Sequence, residues 1–195
     1  MHLTSTRFIE AIALLRRIAS ASWKPALFAV LLWAATAAGE VPVPGTPVPI
    51  TLQTFVVMLA GLMLPWKQAG AAVAAYLAAG AMGLPVFAGG ASTMALVGPT
   101  AGFLIGFLPG VIVTAMMRGQ ARTNTLASAA VTVARYLFAA VIGCVVVVYV
   151  FGIGVQSLFT GVDPLTIAIA SMAFIAGDAV KATVAALFAA GIIRR

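Results

Sequence analysis

The sequence predicts an all-α, polytopic membrane protein whose six transmembrane helices form one bundle. Composition is the first ground. Of 195 residues, 63% are hydrophobic and 8% are charged, and the mean hydropathy is +1.15. A water-facing domain carries roughly 25% charged residues, so lipid must be the solvent for most of this chain. Length is the second. A helical span needs about 20 apolar residues. Six spans with short connections nearly exhaust the chain and leave no room for a soluble catalytic or nucleotide-binding domain. The placement of the basic residues is the third, and it needs the elements first.

Residues 1–24 carry Arg7, Arg16, Arg17 and Lys24 against one acid, Glu10, with Phe8, Ile9, Ile12, Leu15 and Ile18 at helical spacing. This segment reads as an amphipathic helix lying on the cytoplasmic membrane surface. Its basic start, the apolar run from Ala26 and Ala35-Thr36-Ala37 imitate a signal peptide, but 37 residues is long for one. The reading is an uncleaved first span, about Pro25 to Gly39. Four prolines between Glu40 and Pro49 stop it. Span two, about Thr51 to Leu64, is short enough to end inside protein rather than in lipid. Pro65-Trp66-Lys67 turns the chain into span three, about Gln68 to Met82. A glycine-rich loop, Gly83 to Gly98, leads to span four, about Pro99 to Met117. Span five covers about Leu126 to Phe151, a loop Gly152 to Pro164, and span six about Leu165 to Ile193. Residues 25–195 thus form one membrane domain.

Lys and Arg gather in cytoplasmic loops of membrane proteins. With the N-terminus inside, Arg7, Arg16, Arg17, Lys24, Lys67, Arg118, Arg122, Arg194 and Arg195 all fall on the cytoplasmic side, while Glu40 and Asp163 lie in outer loops. An even number of spans with both ends cytoplasmic accounts for this, and an odd number breaks it. The net charge of +7 therefore reports topology rather than a nucleic-acid partner, since the basic residues form no patch. The single cysteine, Cys144, excludes an internal disulfide and a cysteine-ligated metal cluster.

Ionisable groups inside a membrane are costly and mark function. Three occur here: Arg135, Asp178 and Lys181. The last two are three residues apart and share a helix face. By a rise of 1.5 Å per residue, Asp178 lies about 20 Å down span six and Arg135 about 14 Å into span five, so all three are expected near mid-membrane. A hydrophobic pair would pack as well as a purely structural ion pair, and a polar ligand explains the expense. Arg135 also has the option of reaching back to the interface. Uncharged irregular backbone beside a membrane is tolerated where it lines a cavity. Gly83-Leu-Pro-Val-Phe-Ala-Gly-Gly90 offers Phe87 to pack on a ligand and the backbone of Gly89 and Gly90 to bond it. Gln53, in Val48-Pro-Ile-Thr-Leu-Gln-Thr54, is either a cavity-facing polar group or a helix-end residue.

Four segments resemble, in order and spacing, the BioY family of biotin-specific substrate-binding (S) components of energy-coupling factor transporters. They are Val48–Thr54, Gly83–Phe87 with its glycines, Gly98-Pro-Thr-Ala-Gly-Phe103 and Gly177-Asp-Ala-Val-Lys181. The resemblance covers about Ala26 to the C-terminus. It implies a six-helix S-component bundle that binds biotin, capped by the outer loops, with no cofactor. Asp178 and Lys181 match the family's pair in the last helix, and Thr100 falls in the Gly-Pro-Thr segment. Some members carry an asparagine in the glycine-rich loop and an arginine after Gly-Pro-Thr. Here those places are Gly90 and Leu104, which leaves Arg135 or Lys181 for the ligand carboxylate. The resemblance implies residence in the inner (plasma) membrane, a transmembrane coupling subunit and two ATPase subunits as partners, with a homo-oligomeric carrier as the other option. Two alternatives stand beside it. One is an S component for another vitamin, which shares the architecture. The other is an intramembrane enzyme. The only histidine is His2 at the terminus, and Asp178 is the only intramembrane carboxylate, so neither a histidine-dependent nor a two-aspartate mechanism is provided for.

Overall fold

The computed structural model describes residues 22–193. The amphipathic segment expected over residues 1–24 lies almost wholly outside them. Six helices follow in order: α1 (22–37), α2 (Gln53–Met63), α3 (Trp66–Ala81), α4 (Ala101–Met117), α5 (Leu126–Thr160) and α6 (Pro164–Ile193). The proline-rich stretch after α1 adds a two-stranded antiparallel ribbon, β1 (Glu40–Val41) and β2 (Ile50–Thr51), with Glu40 opposite Thr51.

Local chemistry sets the ends. Pro65 stands just before α3, where its missing N–H is no loss. The Thr125 hydroxyl accepts from the Ser128 N–H and the Ser128 hydroxyl accepts from the Thr125 N–H, a reciprocal cap that starts α5. Asp163 Oδ2 accepts from the N–H groups of Leu165 and Thr166 at the start of α6. Gly161, at φ +68°, closes α5 in the left-handed conformation.

Helix α5 corrects one sequence expectation. The loop expected from Gly152 to Pro164 is only 161–163, because the helix continues through Gly152 to Thr160. Gly152 is no breaker here. It leaves room for the ring of Phe103 on α4, which an added Cβ would strike.

Helix α4 sits centrally, packed on α2, α3 and α5, while α6 closes the bundle against α2 and α5. Gly102, Gly106 and Gly110, every fourth residue of α4, bring its backbone against Phe151, Val148 and Gly143 of α5. Small residues allow such approach, and without a hydrophobic drive between helices in lipid, close packing is what holds them. Around Gly143 the α5 backbone widens to π-helical over Val141–Val147. Thr114 of α4 reaches into this turn and donates its hydroxyl to Gly110 O (2.9 Å) and Ala139 O (3.3 Å).

Helix α5 has 35 residues and the apolar part of α6 has 28, each sufficient to cross a bilayer. Helix α2, with 11 residues, rises only about 16 Å; Leu64 just beyond it is buried, and the chain is exposed from Pro65 to Lys67. Large apolar side chains stand exposed along α1, α5 and α6, among them Val30, Phe138, Val150, Ile169 and Phe188. In a membrane protein this is the lipid-facing surface.

Candidate functional site

The loops that follow α1 and α3, with α2, α4, α5 and α6, enclose a cavity of about 430 Å³, within the range of small-molecule sites. Its mouth is formed by Pro47, Pro49 and Ile50 of the ribbon and by Met94 and Ala95 of the loop before α4. Phe103, Leu104, Phe107 and Phe174 make apolar walls. At the inner end four polar side chains from three helices meet: Thr54 of α2, Tyr149 of α5, and Asp178 and Lys181 of α6.

Their hydrogen bonds form one closed set. Lys181 Nζ donates to Asp178 Oδ1 at 3.0 Å and to Thr54 Oγ1 at 2.9 Å. The Thr54 hydroxyl donates onward to Asp178 Oδ1 at 3.1 Å. The Tyr149 hydroxyl donates to Asp178 Oδ2 at 2.7 Å. The side chains of Lys181 and Asp178 are 13% and 4% exposed, so this is a buried ion pair with its remaining polar valences largely met, the condition under which such a pair is tolerated. A carboxylate has about four lone-pair sites and an ammonium three donors. Three sites and two donors are engaged. One carboxylate lone pair and one ammonium N–H therefore remain for a ligand, on a floor with no net charge.

Gln53 is 4% exposed and lines the cavity, yet its amide is used within the protein. Its Nε2 donates to the Tyr76 hydroxyl and its Oε1 accepts from Thr51 Oγ1. Tyr76 in turn donates to Val86 O at 2.9 Å, and Thr36 of α1 donates to the same carbonyl at 2.8 Å. This relay fixes the segment that carries Phe87. The Phe87 ring is 2% exposed, stands edge-on to Tyr76 with centroids 5.3 Å apart, and occupies the space an added Cβ on Gly80 would need. Gln53 is thus both options the sequence left open: a helix-start residue and a cavity residue that positions the wall.

Thr100 lines the cavity just before α4, with its hydroxyl donated to Ala95 O at 3.3 Å. Gly89 and Gly90, at φ +65° and +74°, form the turn beside the cavity, whose lining comes from their neighbours Ala88 and Ala91. Gly89 lies instead near the Glu40 carboxylate, itself at the cavity edge.

Arg135 departs from expectation. It does not meet Asp178 and Lys181. Its guanidinium donates to Gln120 O and lies across Gly119, where an added Cβ would come within 3.1 Å of its carbon. Arg135 is on the third turn of α5, close enough to the preceding loop for its long side chain to turn back to the interface. It lines a separate depression with Arg122, Ser128 and Thr132.

The sequence reading missed Thr54 and Tyr149 as members of the polar floor. Thr54 ended a segment already singled out. Tyr149 carried a weaker signal, the one polar atom in the run Val145–Val150.

The architecture defines a class first. A crystal structure described as the S-component for biotin from an ECF-type ABC transporter superposes with a TM-score of 0.82, covering 92% of this chain and 94% of that one at 24% identity. That likeness establishes the fold, the helical bundle of that structure. The particular family follows from sequence: residues 12–195 match the BioY family model, and the chain belongs to the BioY family. Relatives described as biotin transporter BioY include those of Rhizobium etli, 38% identical over 86% of this chain and 90% of the relative, Thermotoga maritima, 36% over 90% and 94%, and Rhodobacter capsulatus, 40% over 84% and 87%.

Proposed function

We propose that this chain is the substrate-binding membrane subunit of a biotin uptake system, with biotin held in the cavity above Asp178 and Lys181. The relatives' shared description supports biotin as the ligand. The observation that carries the geometry is the floor: charge-neutral, with one donor and one acceptor left over. Biotin's ureido group presents an N–H beside a C=O. Lys181 donates to the ureido oxygen and Asp178 Oδ2 accepts from the ureido N–H. Biotin's carboxylate at that depth would place a net negative charge in a buried site, and burying an unpaired charge is expensive. The acid tail therefore points to the mouth, where water solvates it, and the apolar rings rest on Phe87, Phe103 and Phe174, with Gln53 and Thr100 holding the wall and rim.

The uptake step calls for partners. A transmembrane coupling subunit and two ATPase subunits drive inward release, in keeping with the neighbour described as part of an ECF-type ABC transporter. An assembly of several copies of this chain is the alternative arrangement. The charge pattern supports an inner-membrane, multi-pass topology with both termini cytoplasmic and residues 1–24 on the cytoplasmic surface.

Equilibrium biotin binding to the purified protein, alone and against competing vitamins, tests the reading. Saturable binding that other vitamins do not displace is expected, and displacement by another vitamin at lower concentration overturns biotin as ligand. The orientation has its own test. Biocytin, which extends the acid tail, is expected to compete within about tenfold of biotin, since one lost interaction at the mouth is worth about 1.4 kcal/mol or less. Iminobiotin, altered at the ureido oxygen, is expected to bind far more weakly. The reverse ranking places the carboxylate at the floor instead. Cysteine introduced at Asp163 should react with an impermeant reagent from outside, and cysteine at Gly119 only from inside.

A further inference from the structure

The depression that holds Arg135 lies at the bundle end opposite the cavity mouth and has no place in the biotin reading. It is lined by Gln120, Arg122, Ser128, Val131, Thr132 and Arg135, among others, and encloses about 660 Å³. Its shape is built rather than incidental. Thr132 Oγ1 accepts from Arg122 N at 3.1 Å and donates to Arg122 O at 2.8 Å, which pins the loop to α5. Arg135 clamps the same loop through Gln120 O, and the Thr125–Ser128 cap fixes its far end.

Among the described residues no acid offsets the charge on this surface. Among the described residues the acids are Glu40, Asp163 and Asp178. Glu40 and Asp178 line the biotin cavity and Asp163 starts α6. None of them approaches Arg122 or Arg135, and the one ion pair is Lys181–Asp178. Arg135 Nε is buried with no acceptor. A buried N–H left without a partner is costly, and the Nη1 end of the guanidinium, which is not buried, is the side open to an anion. The surroundings say which kind. Val131, Arg135 and Phe138 follow at helical spacing i, i+4, i+7 on α5, and Val131 and Phe138 are 65% and 59% exposed. Arg135 thus leaves the helix between two exposed apolar side chains, and its guanidinium turns from there to the loop at Gln120.

We propose that this depression binds the phosphate of an anionic phospholipid, with Arg122 and Arg135 on the phosphate oxygens and the acyl chains along Val131 and Phe138. A guanidinium matches two phosphate oxygens at once, and basic pockets between helices at a membrane interface take such headgroups.

The test is lipid retention. The full chain is reconstituted in equal parts phosphatidylglycerol and phosphatidylcholine, released into mild detergent, and its bound lipid weighed by native mass spectrometry. An excess of phosphatidylglycerol of about 30-fold is expected for two cationic contacts. In the R122Q/R135Q variant the ratio should fall close to one while biotin binding is kept as the readout of folding. If that variant loses biotin binding, R122Q/R135K, which retains a donor toward Gln120, replaces it and should lose part of the preference. Equal retention of both lipids by the unaltered protein overturns the proposal. So does an undiminished preference in a folded double variant. Displacement of the lipid by millimolar inorganic phosphate alone overturns the lipid assignment and makes the site one for small anions.

Discussion

The floor of the cavity makes a quantitative demand on Asp178 and Lys181. Asp178→Asn leaves the Lys181 ammonium buried with only the Thr54 hydroxyl as a good acceptor. Lys181→Met leaves the carboxylate with Tyr149 and Thr54. Breaking a buried pair from one side costs about 3–5 kcal/mol. With Lys181 13% exposed and two hydroxyls still in place, the lower end applies, about 3 kcal/mol for each variant. The Asp178→Asn/Lys181→Met double variant buries no charge, so its loss should be about 1–2 kcal/mol rather than the sum, a coupling of about 4–5 kcal/mol that exceeds the usual range for contacting residues because a buried charge is involved. For a chain of this size 1 kcal/mol corresponds to about 2–4 °C in Tm. Each single variant should therefore melt about 6–12 °C lower, and the double variant lose less than either. Thermal unfolding in one detergent at a fixed scan rate reads this directly. Biotin affinity measured alongside should fall about 10- to 100-fold in all three, because each removes a hydrogen bond between ligand and charged group. A double variant whose Tm loss equals the sum of the singles would refute the paired, charge-neutral floor. Unchanged biotin affinity in all three would remove the ligand from it.

Three further outcomes are expected. Tyr149→Phe removes the donor to Asp178 Oδ2 and should weaken biotin binding about two- to tenfold, the worth of one hydrogen bond, as read by titration; an unchanged affinity would mean Tyr149 only fills space. Gly152→Ala places a methyl group against the Phe103 ring, which packs edge-on to Tyr149 with centroids 6.2 Å apart. Overpacking of this kind costs about 1–3 kcal/mol, so both Tm and biotin affinity should drop, and an unaltered protein would show that the α4–α5 contact yields. Deleting Val146 removes one residue from the widened turn of α5. If that turn simply absorbs one extra residue, Val148 and Tyr149 stay in place and biotin binding survives within a few-fold, whereas a folded variant without binding would show that the turn itself shapes the cavity.

What the sequence disclosed followed from simple rules. The prolines between Glu40 and Pro49, Pro65 and the loop charges marked the helix ends, although Pro109 lies inside α4 without ending it. Asp178 and Lys181 stood out because ionisable groups in an apolar run demand an explanation and their i, i+3 spacing put them together. Where the reading slipped, the deciding contact was remote. The end of α5 depended on Phe103, 49 positions away from Gly152 in the chain, filling the space beside a glycine that by itself looks like a helix end. Arg135 was placed by depth along its helix, a measure blind to which way a long side chain turns.

Tyr149 was harder to read for a geometric reason. From the start of α5 a regular helix assigns each residue a direction at about 100° per step, and the π-helical stretch Val141–Val147 inserts one residue into that count. Every position after it is turned by about one step relative to the extrapolation. A face worked out from Thr132 or Arg135 therefore names the wrong residue at the level of Asp178, and Tyr149 looks like one more member of an apolar run. Beside the same widened turn Thr114 donates to the Ala139 carbonyl, which ties α4 to α5. A tyrosine among valines on α5 thus donates to Asp178 Oδ2, the carboxylate oxygen with the single acceptor site left for the ligand.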